Sequence, residues 1–220
     1  MTSQFFQAVL FDMDGLTIDS EPQWLEVERE LTARFGYRWT LEDQAFCLGG
    51  PLSRVGKYMS EMVNGAESGE YFHQGLISEM AKKVRAKAVF MPGAQSLINS
   101  LYKSEIPMAL VSASPRVIVD AALAHIQPLP FKTTISSDDV SKTKPDPEGY
   151  LKAAQILGVD IKQTLILEDS VTGVKAARAS GAKVIAVPHL VKIETDIQTK
   201  VIRTLEELDI DVLRKFYLNW

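Results

Sequence analysis

Four apolar runs in this sequence end in residues that can do chemistry. Ala8–Phe11 is followed by Asp12 and Asp14, and Met108–Val111 by Ser112. Thr133–Ile135 is followed by Ser136, Ser137, Asp138 and Asp139, then by Lys142 and Lys144, and the run 164–167 by Glu168 and Asp169. Carboxylates crowded together repel, and they stay ionised only around a cation. Oxygen donors alone select a hard ion such as Mg2+, which completes its shell with water and a substrate phosphate. Lys144 and the Ser112 hydroxyl suit the other phosphate oxygens. A carboxylate in line with phosphorus can attack it to form an aspartyl-phosphate. A second carboxylate two residues on can protonate the leaving group and then activate water.

These residues need a scaffold that brings the ends of separate runs together. The four runs and a fifth at 184–187 are continuously apolar, the pattern of parallel strands buried on both faces. Helix-length stretches at 93–103, 117–125, 150–157 and 174–180 lie between most of them, with Gly158 and Gly181 placed as C-terminal caps. Alternating strand and helix defines an α/β class with a Rossmann-like, mostly parallel sheet. Such a sheet binds ligands beyond the carboxyl ends of its strands. The second to fifth runs start about 20–31 residues apart, one strand–helix–strand unit each, but about 100 residues separate the first from the second. A loop of that length is improbable, so an insertion is expected. Its apolar spacing is helical around Trp24–Phe35, 55–63 and 71–84. The expected organisation is a core of residues 1–18 and 89–220 carrying a helical cap over 19–88.

Composition narrows the class of partner. The 220 residues are 46% hydrophobic and 24% charged with a net charge of -4, values of an ordinary globular chain without a basic footprint for nucleic acid. The single cysteine, Cys47, excludes an intrachain disulfide framework. The start of the chain has no basic n-region, and no apolar run is long enough to span a bilayer. The expectation is a cytoplasmic monomer whose partner is a small phosphorylated metabolite, with no nucleic acid and no membrane.

The motifs resemble those of the haloacid-dehalogenase-like superfamily. Phe11-Asp12-Met13-Asp14-Gly15-Leu16-Thr17 is similar to its DxDGx(T/V) motif, and Ser112 to its second motif. Lys144-Pro145-Asp146-Pro147 resembles the lysine motif, and Leu167-Glu168-Asp169-Ser170-Val171-Thr172-Gly173 the acidic motif. Thr143 departs from the family's usual Gly before the lysine. The resemblance implies that Asp12 is nucleophile and metal ligand, and that Asp14 is general acid/base and binds metal through its carbonyl. It implies that Ser112, Ala113 and Lys144 hold the phosphoryl group, and that Asp169 ligates Mg2+ directly with Glu168 second. The position of the insertion matches the β-phosphoglucomutase-like and sugar-phosphate phosphatase subgroup. Relatives that are mutases have His four residues after the hinge hydroxyl. Here that hydroxyl is Ser20 and the fourth residue on is Trp24, a pattern more like the sugar phosphatases. A mutase and a non-catalytic phosphometabolite binder are the alternatives.

Signals from the cap are weaker. Arg54 and Lys57, after Gly49-Gly50, are its cationic candidates for substrate contact, against the alternative of a solvated helix face. The Gly-rich stretch fails as a P-loop because Tyr58 follows Lys57. Trp24 belongs to an apolar stripe and can partly line a pocket. Cys47, His73, His125 and His189 are read as structural or solvated.

Overall fold

The computed structural model describes residues 5–48, 50–126, 129–188 and 191–220; residues 1–4, Gly49 and His189 lie outside them. Among the described residues six strands form one wholly parallel sheet: β1 (Ala8–Phe11), β2 (Met108–Val111), β3 (Thr133–Ile135), β4 (Thr164–Glu168), β5 (Lys183–Ala186) and β6 (Thr199–Val201). Their order is β3-β2-β1-β4-β5-β6. The chain winds outward from β1 through β2 and β3, then returns to the other side of β1 for β4. The crevice where the winding reverses therefore opens at the carboxyl ends of β1 and β4.

Alternate residues of each strand feed two cores, which is why the runs are apolar throughout. Val9, Phe11, Leu110 and Leu167 face one cluster, and Leu10, Ala109, Ile166 and Val184 face the other. The first cluster includes residues of α5 (Ala94–Lys103), α6 (Arg116–Leu123) and α9 (Ile210–Leu218). The second includes Tyr150 and Ala153 of α7 (Glu148–Leu157) and Val174 and Ala177 of α8 (Val171–Ser180).

Between β1 and β2 lie α1 (Glu21–Ala33), α2 (Leu41–Cys47), α3 (Leu52–Met62) and α4 (Gly69–Ala86). Fully buried side chains of these helices and of the segment joining the first two, among them Leu31, Trp39, Met59, Phe72 and Met80, continue the first cluster. Each large apolar side chain buried this way stabilises the packing by roughly 1.5–3 kcal/mol. The two chain crossings between these helices and the sheet run side by side. The Asp19 amide donates to Val89 O (2.8 Å), the Met91 amide to Thr17 O (3.0 Å), and Ile18 bridges Phe90. α4 packs on α3 and α1 and also on α6, so the four helices lean on the side of the sheet as well as over its edge.

Four elements depart from the sequence reading. β6 is a three-residue edge strand of Thr199, Lys200 and Val201, too short and polar to give a periodic signal. α2 exposes Leu41 and Phe46, so it lacks an amphipathic stripe, and its signature is instead the Thr40–Asp43 capping box. α9 begins at the Asp209 cap, whose carboxylate accepts from the Val212 amide at 2.8 Å. The expected run 184–187 pairs one residue earlier, as β5.

Candidate active site

Asp12 follows β1 directly, and its amide donates to Leu167 O of the adjacent β4 (3.1 Å). The chain then turns back on itself, with the Gly15 amide donating to Ile18 O (2.9 Å) and the Thr17 hydroxyl to Asp12 O. Gly15 has φ +78°, and a Cβ there would collide with Asp169 Oδ2, so the turn needs glycine on both counts. The Asp14 carboxylate accepts three hydroxyls: Ser20 at 2.9 Å, Ser112 at 3.2 Å and Ser114 at 2.8 Å. The Ser112 Oγ also accepts the Ser114 amide at 2.9 Å.

Lys144, with a side chain 8% exposed, reaches into the crevice from the loop before α7. Its ammonium donates to Asp12 Oδ1, to Val111 O (2.9 Å) and to Glu168 Oε1 (2.7 Å). The rival Lys142 is exposed, and its amide is tied to Glu148. Glu168 is fully buried and accepts from Tyr150 OH (2.6 Å), from Ser170 Oγ (3.2 Å) and from the Asp169 amide (3.2 Å). A Cβ on Gly173 would overlap the Glu168 carboxylate, so a glycine is required where α8 passes it. Asp138 and Asp139 are structural, Asp139 capping Ser136 and pairing with Arg116.

Oxygens of Asp12, Glu168 and Asp169 lie within 4.8 Å of one another. Burial drives the Asp12 carboxyl well above its ordinary range despite the pull of Lys144, and Glu168 and Asp14 push the same way. Asp169 moves up for the same reasons, burial first and then the charges of Asp12 and Glu168. Burial alone would lower Lys144, but the two carboxylates beside it hold it well above its usual value. Ionised together, the three acids would carry more negative charge than one lysine neutralises. Asp169 Oδ1 is buried and accepts no hydrogen bond. An all-oxygen donor set with excess negative charge and an orphaned carboxylate oxygen fits a small hard divalent cation. The Asp14 carboxylate lies outside this trio, against its three serines.

Above the strand ends is a cavity of about 480 Å³, floored by Asp12, Asp14, Ala113, Lys144 and Asp169. Its far wall comes from the four inserted helices. Glu21, Trp24 and Glu28 line one face of α1, with Gln44 and Cys47 of α2, Leu52 and Val55 of α3, and His73 of α4 opposite. Burial, then the charges of Asp14 and Asp19, push Glu21 up to about 7. Burial pushes Glu28 up to about 8, a Trp39 Nε1 hydrogen bond at 2.9 Å opposing the shift. Burial also pushes the Cys47 thiol up to about 12, which removes it as a nucleophile near neutral pH.

The structure therefore gathers Asp12, Asp14, Ser112, Ala113, Lys144, Glu168 and Asp169 at one edge and places Trp24 in the cavity wall. Arg54 and Lys57 are not brought there. The Arg54 guanidinium donates to Phe46 O (3.1 Å) and Cys47 O (3.3 Å) over the Phe46 ring, and Lys57 is exposed. α3 buries Val55, Gly56 and Met59, which turns the side chains of residues 54 and 57 outward. His125 binds Arg85 O at 2.8 Å, away from the cavity. Sequence reasoning did not single out Tyr150, Ser114, Glu21 or Glu28 as site residues, since contacts between segments distant in the chain bring them to the site.

The sheet order and the acidic strand ends define a Rossmann-like α/β protein with a candidate site at the switch in winding. The chain belongs to the haloacid dehalogenase-like hydrolase family, whose profile matches residues 9–187, and its curated relatives include phosphatases. It is 30% identical over 205 residues to a bifunctional riboflavin kinase/FMN phosphatase of Arabidopsis thaliana, covering 91% of this chain but only 53% of that protein. It is 28% identical over 179 residues to the fructose-1-phosphate phosphatase YqaB of Escherichia coli, covering 80% of this chain and 93% of that one. A haloacid-dehalogenase-type hydrolase from Entamoeba histolytica superposes with a TM-score of 0.84 at 21% identity, covering 97% of this chain and all of the other, a likeness of fold. Among the described residues no helix is long and apolar enough to cross a membrane.

Proposed function

We propose that this chain is a Mg2+-dependent phosphomonoester hydrolase for a small phosphorylated metabolite, a sugar or polyol phosphate, working through an aspartyl-phosphate. The observation that carries the reading is the convergence of Asp12, Asp14, Lys144 and Asp169 beneath a cavity of about 480 Å³, a size suited to a small metabolite. The E. coli relative's sugar-phosphate substrate supports the same class. Residues 19–88 are the cap that closes over this site, and residues 1–18 and 89–220 are the core that does the chemistry.

In the proposed reaction the Asp12 carboxylate attacks phosphorus as the bond to the leaving oxygen breaks. Asp14, fixed by Ser20, Ser112 and Ser114, gives its proton to that oxygen. It then takes a proton from water, which attacks the phosphorus, breaks the bond to Asp12 and releases phosphate. Lys144 neutralises the transferring group and holds Asp12 in place, while the Ser112–Ala113 turn cradles its oxygens. Asp12, the Asp14 carbonyl, Asp169 and Glu168 would hold Mg2+, directly or through water. When bound, the ion draws charge from the phosphoryl oxygens and allows the acids to ionise together. The cap excludes bulk water, which strengthens every charge interaction in the site.

The test is phosphate release from a panel of metabolite phosphates with Mg2+, chelator and Ca2+. Turnover should need Mg2+, vanish in chelator and be inhibited by Ca2+, whose larger and looser shell misplaces the phosphate. Full activity in chelator would refute the metal assignment. Failure to hydrolyse any ester, including a phenyl phosphate, would refute the hydrolase.

A further inference from the structure

The cavity is chemically lopsided. At its floor lie Asp12, Asp14, Lys144 and Asp169, and the other end is walled by α1, which presents Glu21, Trp24 and Glu28 on one face at the i, i+3, i+7 spacing. Among the described residues that line it, Lys144 is the only lysine or arginine, and its ammonium is already held between Asp12 and Glu168. Arg54 and Lys57, the nearby cations of α3, are directed elsewhere. Glu21 is held in a defined position: the Gln44 amide nitrogen donates to its carbonyl at 3.2 Å and to its Oε2 at 3.4 Å. It directly follows Ser20, the hydroxyl bound to Asp14, and so lies beside the residue that would protonate the leaving group.

Resting on the hydrolase reading above, we infer that Glu21, oriented by Gln44, is a specificity-determining residue. It selects esters whose leaving alcohol is uncharged and hydroxyl-bearing, and the cavity rejects esters that carry a second anion. A hydroxyl entering this end exchanges water for a carboxyl partner, and Trp24 offers the carbon skeleton an apolar face. A carboxylate or second phosphate entering it loses its hydration and finds no lysine or arginine partner at this end among the described lining residues. The transferred phosphoryl escapes this penalty because Lys144 and the cation site are at the floor.

The experiment measures kcat and KM with Mg2+ for glycerol 3-phosphate, glucose 6-phosphate and sorbitol 6-phosphate. The anion-bearing set is phosphoglycolate, 3-phosphoglycerate and fructose 1,6-bisphosphate, with p-nitrophenyl phosphate as the aryl control. The best neutral ester should exceed every anion-bearing one by about 100-fold or more in kcat/KM, the scale of a desolvated unpaired charge. The isosteric Glu21→Gln should raise KM for the best neutral ester by about 10-fold and affect the aryl ester far less. Glu21→Lys, which supplies the missing cation, should raise kcat/KM for phosphoglycolate or 3-phosphoglycerate relative to the neutral esters. The inference is overturned if an anion-bearing ester is turned over within a few-fold of the best neutral one. It is also overturned if Glu21→Gln damages aryl and neutral esters alike. No release from the aryl ester by the wild-type protein would instead bring down the hydrolase reading, and this selectivity with it.

Discussion

Asp12 and Asp14 are separated by one residue yet have different surroundings. Asp12 is gripped by the Lys144 ammonium and crowded by Glu168 and Asp169, whereas Asp14 is met by three hydroxyls. In the proposed reaction this difference divides the labour, the nucleophile being held by a cation and the proton carrier by neutral donors. Asp12→Asn should lower turnover by at least about 1,000-fold while the circular dichroism spectrum stays native, since losing a covalent nucleophile removes the pathway itself. Turnover near wild type in freshly purified protein would remove the assignment. Tyr150 acts one step further out, through its 2.6 Å hydrogen bond to Glu168. Tyr150→Phe should cost about 1.5–3 kcal/mol in urea unfolding, the range for a buried bond to a charged group, and reduce kcat much less than Asp12→Asn does.

At the scale of elements, each strand ends where its chemistry begins, and each following turn or helix aims the side chain. The β1 turn depends on Gly15, and the start of α8 depends on Gly173 passing the Glu168 carboxylate. Helix α1 carries a different burden, because it buries Glu28 among aromatic side chains. With the folded value near 8 against an ordinary 4.5, the folded protein keeps a proton that the unfolded chain loses between those values. Stability held by this group is therefore complete below about pH 4.5 and falls as pH rises through 8. Glu28→Gln keeps an acceptor for Trp39 but cannot ionise. It should stabilise the protein by roughly 2 kcal/mol at pH 9 and by much less at pH 5, as read from urea midpoints at the two pH values. Equal effects at both would show that Glu28 ionises freely in the folded state.

For the whole molecule, the sheet and the inserted helices meet at one cluster of charge. Asp12, Glu168 and Asp169 come from β1 and β4, which lie side by side, so their repulsion strains the centre of the sheet until a cation or protons relieve it. A ligand that binds only the folded state stabilises it by mass action. Millimolar Mg2+ should therefore raise the unfolding temperature by several degrees. Asp169→Asn should unfold at a higher temperature than wild type in chelator, having lost one repelling charge, and should gain little from Mg2+. A variant that gained as much as wild type would place the ion elsewhere. In the proposed reading the same edge-on design lets a cap change substrate without changing chemistry. The groups proposed to be catalytic hang from the sheet, and the far wall hangs from helices joined to it by two short crossings at Thr17–Ser20 and Val89–Met91.

The sequence by itself determined the sheet strands and the edge at which they place their chemistry. Continuous apolar runs are a local signal of two-sided burial, and an acid directly after such a run must emerge at its carboxyl end. Asp12, Ser112, Glu168 and Asp169 were legible for that reason, and the 100-residue gap made the inserted helices legible. Short elements with little burial of their own, α2 and β6, gave no periodic signal. Only the tertiary structure decided how the helices are rotated about their axes. Gly56 packs so tightly on Gly69 that a Cβ there would strike its carbonyl oxygen. That contact turns Arg54 and Lys57 of α3 away from the cavity, while the packing of α1 points Glu21 and Glu28 into it. Sequence spacing tells which residues share a helix face, but the direction of that face follows from contacts between segments far apart in the chain.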